Sequence, residues 1–123
     1  MKIRESAEMY LETILVLSKQ GDVRSIDIAR AMDFSRPSVS VTVHNLEKEH
    51  YIKINENGTI SLEPAGREIA ERIYERHTVL TDLLVSIGVS EAVAAEDACK
   101  IEHDISVETF DCIKKAIKKK GKK

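Results

Sequence analysis

One short segment near the middle of the chain restricts the possible folds more than any other. Two β-prone runs, residues 51–54 and 59–62, flank a polar turn that contains Asn57-Gly58. An Asn-Gly pair between such runs is the strongest short-range signal for a β-hairpin. Because apolar residues elsewhere recur at helical spacing, the sequence predicts a hairpin within a mainly α-helical chain.

Three helical patterns precede the hairpin. Apolar side chains recur at helical spacing over residues 3–19, and Ser25 is predicted to cap a short helix that follows. Ser35 is predicted to cap a third helix, with Pro37 in its first turn, where a missing N–H costs little. This order of elements is typical of a winged helix-turn-helix DNA-binding domain, which we place at residues 1–63.

Three further helices are predicted after the hairpin. They cover residues 64–86, residues 90–103 and a segment that begins at Ser106 and runs into a lysine-rich tail. The predicted fold class is therefore mainly α, with an N-terminal winged helix-turn-helix followed by a helical domain over residues 64–123.

The charge of the chain limits its possible partners. The 123 residues carry 19 Lys+Arg and 21 Asp+Glu, a formal net charge of −2. Such a balance argues against a polybasic coat for nucleic acids but allows a DNA reader with a small basic face. The charge is segregated, because residues 61–110 carry 4 basic and 11 acidic side chains, whereas residues 111–123 carry 7 basic and 1 acidic.

Composition also bears on the compartment. Two cysteines do not make a disulfide framework, and no apolar run is long enough to span a membrane. The first residues lack the apolar core of a signal peptide. These observations predict a cytoplasmic protein with no membrane partner. An aromatic content of 4% argues against base-stacking platforms for single-stranded nucleic acid.

The predicted third helix has a face suited to DNA. Val39, Val43 and Leu46 recur at i, i+4 and i+7 and are predicted to be buried, which leaves the opposite face exposed. Hydroxyl groups suit phosphates, arginine suits phosphate or guanine, and an exposed valine suits a thymine methyl group. The predicted hairpin is the wing of this domain, and it contributes Lys53. The predicted DNA-binding residues are Ser35, Arg36, Pro37, Ser38, Ser40, Val41, His44, Lys48 and Lys53.

A second set of residues has the chemistry of metal ligands. Cys99, Glu102 and His103 are spaced i, i+3 and i+4, so they share one helical face. Thiolate, carboxylate and imidazole all bind first-row metals, although a buried cysteine beside a surface Glu-His pair has the same spacing. Histidine on an apolar helix face is more often a core side chain than a ligand. The predicted metal ligands are Met9, Glu12, His77, Cys99, Glu102 and His103.

These segments resemble the diphtheria toxin repressor family, whose members are iron- and manganese-dependent transcriptional repressors. The resemblance covers residues 5–106 and rests on five segments in the same order. They are Glu8-Met9-Tyr10-Leu11-Glu12, Ser35-Arg36-Pro37-Ser38-Val39-Ser40, Leu62-Glu63-Pro64-Ala65-Gly66, Glu75-Arg76-His77 and Cys99-Lys100-Ile101-Glu102-His103. The resemblance implies a homodimer with a divalent metal as co-repressor, in a short form without a third, SH3-like domain. It assigns residues 64–123 to metal binding and dimerisation, with a basic tail.

The resemblance also implies roles for single residues. The residues that match the primary, activating site of the iron-type members are Met9, Cys99, Glu102 and His103. His77 matches a histidine of their ancillary site. Glu12 instead matches a carboxylate ligand of the manganese-type members.

Some positions depart from the family pattern. Thr81 and Ala95 stand where iron-type members have a glutamate and a histidine ligand, so their ancillary site is expected to be absent or rebuilt. A rebuilt second site could use Glu12 and His77, as in manganese-type members. Val41 stands where the iron-type pattern often has a glutamine, so the operator sequence of the iron-type members cannot be carried over to this chain.

We therefore expect a metal-dependent transcriptional repressor that binds palindromic operator DNA as a homodimer and regulates metal homeostasis. Cysteine and methionine are poor ligands for manganese, which favours Fe²⁺, with Mn²⁺ second and Co²⁺, Ni²⁺ and Zn²⁺ as surrogates in vitro. The ligands lie on the first helix and on two later helices, so metal binding is expected to fix the DNA-binding lobe against the dimerisation lobe. Metal binding and DNA binding would then be coupled.

Two alternatives stay open. One is a manganese-responsive repressor of the same family, and the other is a metal-independent winged-helix regulator that senses a small molecule or a thiol oxidant through Cys99. An enzyme is not expected, because no base partner, catalytic triad or phosphate-binding loop accompanies the candidate ligands.

Overall fold

The computed structural model describes residues 5–121 and confirms a mainly α-helical chain. Within that range the elements are α1 (Glu5–Ser18), α2 (Ser25–Met32), α3 (Arg36–Lys48), β1 (Ile52–Ile54), β2 (Ile60–Leu62), α4 (Pro64–Ser86), α5 (Glu91–Ile101) and α6 (Val107–Gly121). Packing divides the chain into two compact units, one up to Glu71 and one from Arg72. The domain boundary after residue 63 stays a prediction. The last lysines of the tail, residues 122–123, lie outside the described residues.

The first unit is a winged helix-turn-helix with one apolar core. α1 packs against α2 and β2, α3 packs against α2 and β1, and the buried side chains of these elements form the core. Burial of these side chains supplies the main stabilisation of the unit. Its buried apolar residues are Tyr10, Leu11, Ile14, Leu15, Val23, Ile28, Ala29, Val39, Val43, Leu46, Ile52, Ile60 and Ala70.

The predicted cap of α2 was wrong by one residue. Arg24, with extended φ −126° and ψ 165°, is the N-cap, and Ser25 is the first helical residue. The Asp27 carboxylate accepts the backbone N–H of Arg24 at 2.9 Å, so the third helical residue binds the N–H of the N-cap residue. Asp33, in the left-handed conformation at φ 57°, ends the helix.

The predicted start of α3 is confirmed. Ser35 has extended φ and ψ, and its Oγ accepts the backbone N–H of Ser38 at 3.3 Å. Pro37 lies in the first turn, as expected. Val39, Val43 and Leu46 are buried, which orients the opposite face of α3 towards solvent.

The predicted hairpin is confirmed as an antiparallel pair, with Ile52 opposite Leu62 and Ile54 opposite Ile60. The turn is longer than a two-residue loop, and within it only Gly58 takes a positive φ, of 85°. The wing is attached to the start of α2, because the Arg24 guanidinium donates to the Asn57 carbonyl.

The second unit contains most of α4 together with α5 and α6. Ser106 caps α6 as predicted, since its Oγ accepts the Thr109 N–H at 3.1 Å. Lys114 on α6 pairs with Glu75 on α4 at 2.5 Å, and the hydrogen bond and charge of Glu75 raise the pKa of Lys114. The buried apolar residues of this unit are Ile73, Leu80, Ala94, Ala98 and Phe110. None of the described helices is both long and apolar enough to cross a membrane.

The first turn of α4 packs directly on the chain before β1. A Cβ built at Gly66 would lie 2.0 Å from the carbonyl oxygen of Tyr51. That carbonyl also accepts the Glu63 N–H at 3.0 Å, so the backbone cannot move away without losing a hydrogen bond. Glycine is therefore required at position 66 by close approach of two backbone segments.

We expect Gly66→Ala to lower the free energy of unfolding by about 1–3 kcal/mol through overpacking. In a helix interior, alanine normally gives a more stable protein than glycine by about 1 kcal/mol. The expected loss of stability in Gly66→Ala is therefore opposite in sign to the usual effect. Urea unfolding followed by circular dichroism measures the change. Ala65→Gly, at the exposed neighbouring position, is the control and should lose only helix propensity. A more stable Gly66→Ala protein would contradict the packing.

Candidate functional site

The carboxylate of Glu102 is the central group of the candidate metal centre. Glu102 is 0% exposed and follows the last residue of α5, where its N–H still bonds to the Ala98 carbonyl at 2.9 Å. Nδ1 of His77, on α4, lies 2.8 Å from Oε1 of Glu102 and donates to it. The helix predicted to reach His103 ends two residues earlier, at Ile101.

The second oxygen of this carboxylate is buried without a hydrogen bond. Oε2 of Glu102 has no hydrogen-bond partner among the described residues, and Nε2 of His103 lies 3.5 Å from it. The side chain of His103 is 1% exposed. A buried carboxylate with one unsatisfied oxygen costs free energy unless a cation or a donor compensates it. The arrangement therefore favours a bound cation.

Cys99 lies one turn before Glu102 on α5 and is half-buried. The other cysteine, Cys112, is exposed on α6. His77, Cys99, Glu102 and His103 thus all belong to the second unit, and the structure brings His77 and His103 to the two oxygens of Glu102.

The two remaining predicted ligands belong to the first unit. Met9 and Glu12 lie three residues apart on α1, so they share a face of that helix, and both are half-buried. Their ligation of the same ion as the residues of the second unit stays a prediction.

The donor types predicted as ligands in the second unit would suit a first-row divalent transition metal, and joint ligation by Cys99 and His103 stays a prediction. Two imidazoles, one carboxylate and one thiol are suitable ligands for Fe²⁺, Co²⁺, Ni²⁺ or Zn²⁺. Mg²⁺ and Ca²⁺ prefer sites made of oxygen atoms alone, which this set does not offer. The unsatisfied Oε2 of Glu102 is the observation that a bound ion would explain.

Sequence reasoning gave no role to Arg76, which bonds to the turn that carries two of the predicted ligands, Glu102 and His103. Nη1 of Arg76 donates to the Glu102 carbonyl at 2.9 Å and to the Ile105 carbonyl at 3.1 Å. Its guanidinium carbon lies 5.4 Å from the centre of the Phe110 ring. The only signal for Arg76 in the sequence was its place beside His77.

The exposed face of α3 carries most of the predicted DNA-binding residues. Ser40 is half-buried, whereas Arg36, Pro37, Ser38, His44 and Lys48 are exposed, as is Lys53 on β1. Val41 is 63% exposed, so its methyl groups are accessible on this face.

Hydrogen bonds within this face orient two of its side chains. The Ser35 hydroxyl donates to Oγ of Ser38 at 2.9 Å. Nδ1 of His44 lies 2.7 Å from the Ser40 carbonyl and donates to it, so Nε2 of the neutral ring is left as an acceptor. An acceptor and a methyl surface on one helix face can both read base edges in a major groove.

Comparison with known families covers nearly the whole chain. Residues 2–59 match the model described as "Iron dependent repressor, N-terminal DNA binding domain". Residues 63–121 match the model described as "Iron dependent repressor, metal binding and dimerisation domain".

Individual proteins give the same result. The HTH-type transcriptional regulator MntR of Geobacillus kaustophilus is 37% identical over 109 residues, which are 88% of this chain and 77% of the relative. The solved structure of IdeR from T. acidophilum is 27% identical with a TM-score of 0.73, covering 92% of this chain and 53% of that one. The solved manganese regulator SloR is 24% identical with a TM-score of 0.81, covering 96% of this chain and 55% of that one.

The buried carboxylate predicts a stability effect that is specific to one position. A divalent metal at 100 times its dissociation constant should stabilise the wild-type protein by about 2.7 kcal/mol, and Glu102→Gln should remove that gain. Glu91→Gln, the same substitution at an exposed position of α5, should keep it. Thermal unfolding with Mn²⁺ or Co²⁺ and with a chelator measures the gain. Equal stabilisation of Glu102→Gln and wild type would contradict the assignment.

Proposed function

Because the chain belongs to the iron-dependent repressor family, whose members are metal-dependent transcriptional repressors and not enzymes, we propose that it represses transcription when a divalent metal binds. The proposed protein is a cytoplasmic homodimer that binds a palindromic operator and regulates metal homeostasis. One observation carries the proposal most directly. The buried Glu102 carboxylate is engaged by His77 on one oxygen and leaves the other without a hydrogen bond.

The proposed ligands are divided between the two units. Those of the second unit are His77, Cys99, Glu102 and His103, and those of α1 are Met9 and Glu12. A bound divalent cation would neutralise part of the negative charge in the acidic middle of the chain. It would also link the residues that bind it. His77 and His103 would bind as neutral imidazoles, with Glu102 as the carboxylate that they flank.

The proposed DNA contacts lie on α3 and the wing. The backbone N–H groups of the first turn of α3, with Ser35, Arg36 and Ser38, would hold phosphates and fix the register of the helix. Val41 and Nε2 of His44 would face base edges, while Lys48 and Lys53 would contact the backbone. The assigned residues are Ser35, Arg36, Pro37, Ser38, Ser40, Val41, His44, Lys48 and Lys53.

Self-association is proposed to use the second unit. Four large apolar side chains of that unit are exposed in the single chain: Val85, Ile87, Val93 and Val107. Exposed apolar groups on the part of the chain that matches a dimerisation domain favour a contact with a second copy. Two copies would present two α3 helices, which a palindromic operator requires.

Two metals are candidates. Iron(II) is the first, because the thiol of Cys99 and the thioether of Met9 are soft ligands that suit it better than manganese(II). Manganese(II) is the second, because MntR of Geobacillus kaustophilus is a close relative and the manganese regulator SloR shares the fold. Co²⁺, Ni²⁺ and Zn²⁺ are expected to act as surrogates in vitro.

Operator binding in the presence and absence of metal tests the proposal. A duplex is first selected from a random pool under anaerobic conditions, in parallel with Fe²⁺ and with a chelator. Fluorescence anisotropy at one fixed salt concentration then measures affinity with Fe²⁺, Mn²⁺, Zn²⁺ or no metal. We expect metal to raise the affinity by about 5- to 150-fold, the usual range for such coupling.

Variants test which residues are responsible for the metal dependence of operator binding. Cys99→Ala and His103→Ala should lose most of the metal-dependent increase, whereas Cys112→Ala, at an exposed thiol, should keep it. Binding that is equal with and without metal, and unchanged in Cys99→Ala and His103→Ala, would contradict the proposal. It would favour a metal-independent regulator instead.

A further inference from the structure

Arg76 is a buried arginine without a described carboxylate partner. It is 8% exposed, and its Nε has no hydrogen bond among the described residues. Its Nη1 bonds to two backbone carbonyls, and its guanidinium lies on the ring of Phe110. Burying a charged group in this way is costly, so the contacts that it makes should serve a purpose beyond surface solubility.

Those contacts brace one short segment. After α5 ends at Ile101, the chain turns through residues 102–105 before α6 begins. Carbonyl groups at the end of a helix lack partners within the helix. Arg76 Nη1 bonds to the Glu102 carbonyl at 2.9 Å and the Ile105 carbonyl at 3.1 Å, and so joins the two ends of this turn.

The braced turn carries two proposed metal ligands. The side chain of Glu102 leaves the backbone next to the first carbonyl that Arg76 holds, and that of His103 leaves it between the two carbonyls. Both side chains are almost fully buried. Arg76 lies next to His77 on α4, so one short stretch of helix both contributes a ligand and positions two others. Arg76 bonds to the backbone of Glu102 and not to its carboxylate, so Oε1 is engaged by His77 and Oε2 is left for a cation.

We infer that Arg76 is a positioning residue of the metal site, which fixes the directions of Glu102 and His103 through the backbone of residues 102–105. The inference rests on the proposed function. Groups that orient metal ligands typically change metal affinity by about 10- to 100-fold when they are removed. Arg76 acts through two carbonyl groups, and its planar, delocalised cation suits both this geometry and the Phe110 ring better than the ammonium group of lysine.

The test measures binding of Co²⁺ alone, without DNA, to the full chain. Wild type is compared with Arg76→Met, which keeps the length and loses both hydrogen bonds, and with Arg76→Lys, which keeps the charge. Arg67→Met, also on α4 but exposed and paired with Glu71, is the matched control. Anaerobic titration gives the affinity, and the visible absorption spectrum of bound Co²⁺ reports the geometry of its ligands.

We expect Arg76→Met to bind Co²⁺ about 10- to 100-fold more weakly, with an altered spectrum. Arg76→Lys should recover part of the affinity, and Arg67→Met should match wild type in both readouts. Helix content and unfolding of the metal-free proteins are measured in parallel. If Arg76→Met does not fold, the Arg76→Lys protein is used to test the inference. Weaker Co²⁺ binding with an altered spectrum in Arg76→Lys would support the positioning role. Wild-type affinity and spectrum would overturn it.

The two proposals fail in different ways. A wild-type protein that does not bind Co²⁺ would overturn the metal site and, with it, the role of Arg76. Wild-type binding with unchanged affinity and spectrum in Arg76→Met would overturn the positioning role alone. An Arg76→Met protein that is less stable without metal, yet has wild-type affinity and spectrum, would make Arg76 a structural residue only.

Discussion

The second unit is organised around the buried carboxylate of Glu102. A carboxylate with 0% exposure cannot be hydrated, so its charge must be compensated by neighbouring groups. His77 donates to one oxygen at 2.8 Å, and His103 lies 3.5 Å from the other. Arg76 holds the backbone beneath the same side chain. These contacts join α4 to the end of α5, and they leave one oxygen for which a cation is the simplest partner.

The charge distribution of the chain agrees with this arrangement. The overall net charge of −2 gives no strong attraction to DNA, and residues 61–110 are markedly acidic. The proposed operator binding would therefore rely on a small reading face, on two copies and on bound cations. The exposed face of α3 carries Val41 and His44, and under the proposal these two side chains would read base edges.

Much of the fold could be predicted from local patterns. The cap at Ser35 and the buried face of α3 follow from residue types within one or two helical turns, and the structure confirms both. The start of α2 was misplaced by one residue because Arg24, whose N–H bonds to the Asp27 carboxylate, takes the N-cap position expected for Ser25. The role of Arg76 could not be read from spacing, because its partners are 26 and 29 residues away and are backbone carbonyls, which carry no sequence signal.

The central claim is that metal bound at Glu102 and operator DNA strengthen each other's binding. Anaerobic calorimetric titration of Fe²⁺ or Mn²⁺ into the protein, with and without saturating operator, tests it most directly. Because coupling between two binding sites is reciprocal, operator should raise the metal affinity by the same factor by which metal raises the operator affinity, about 5- to 150-fold. Metal affinity that is identical with and without operator would contradict the account.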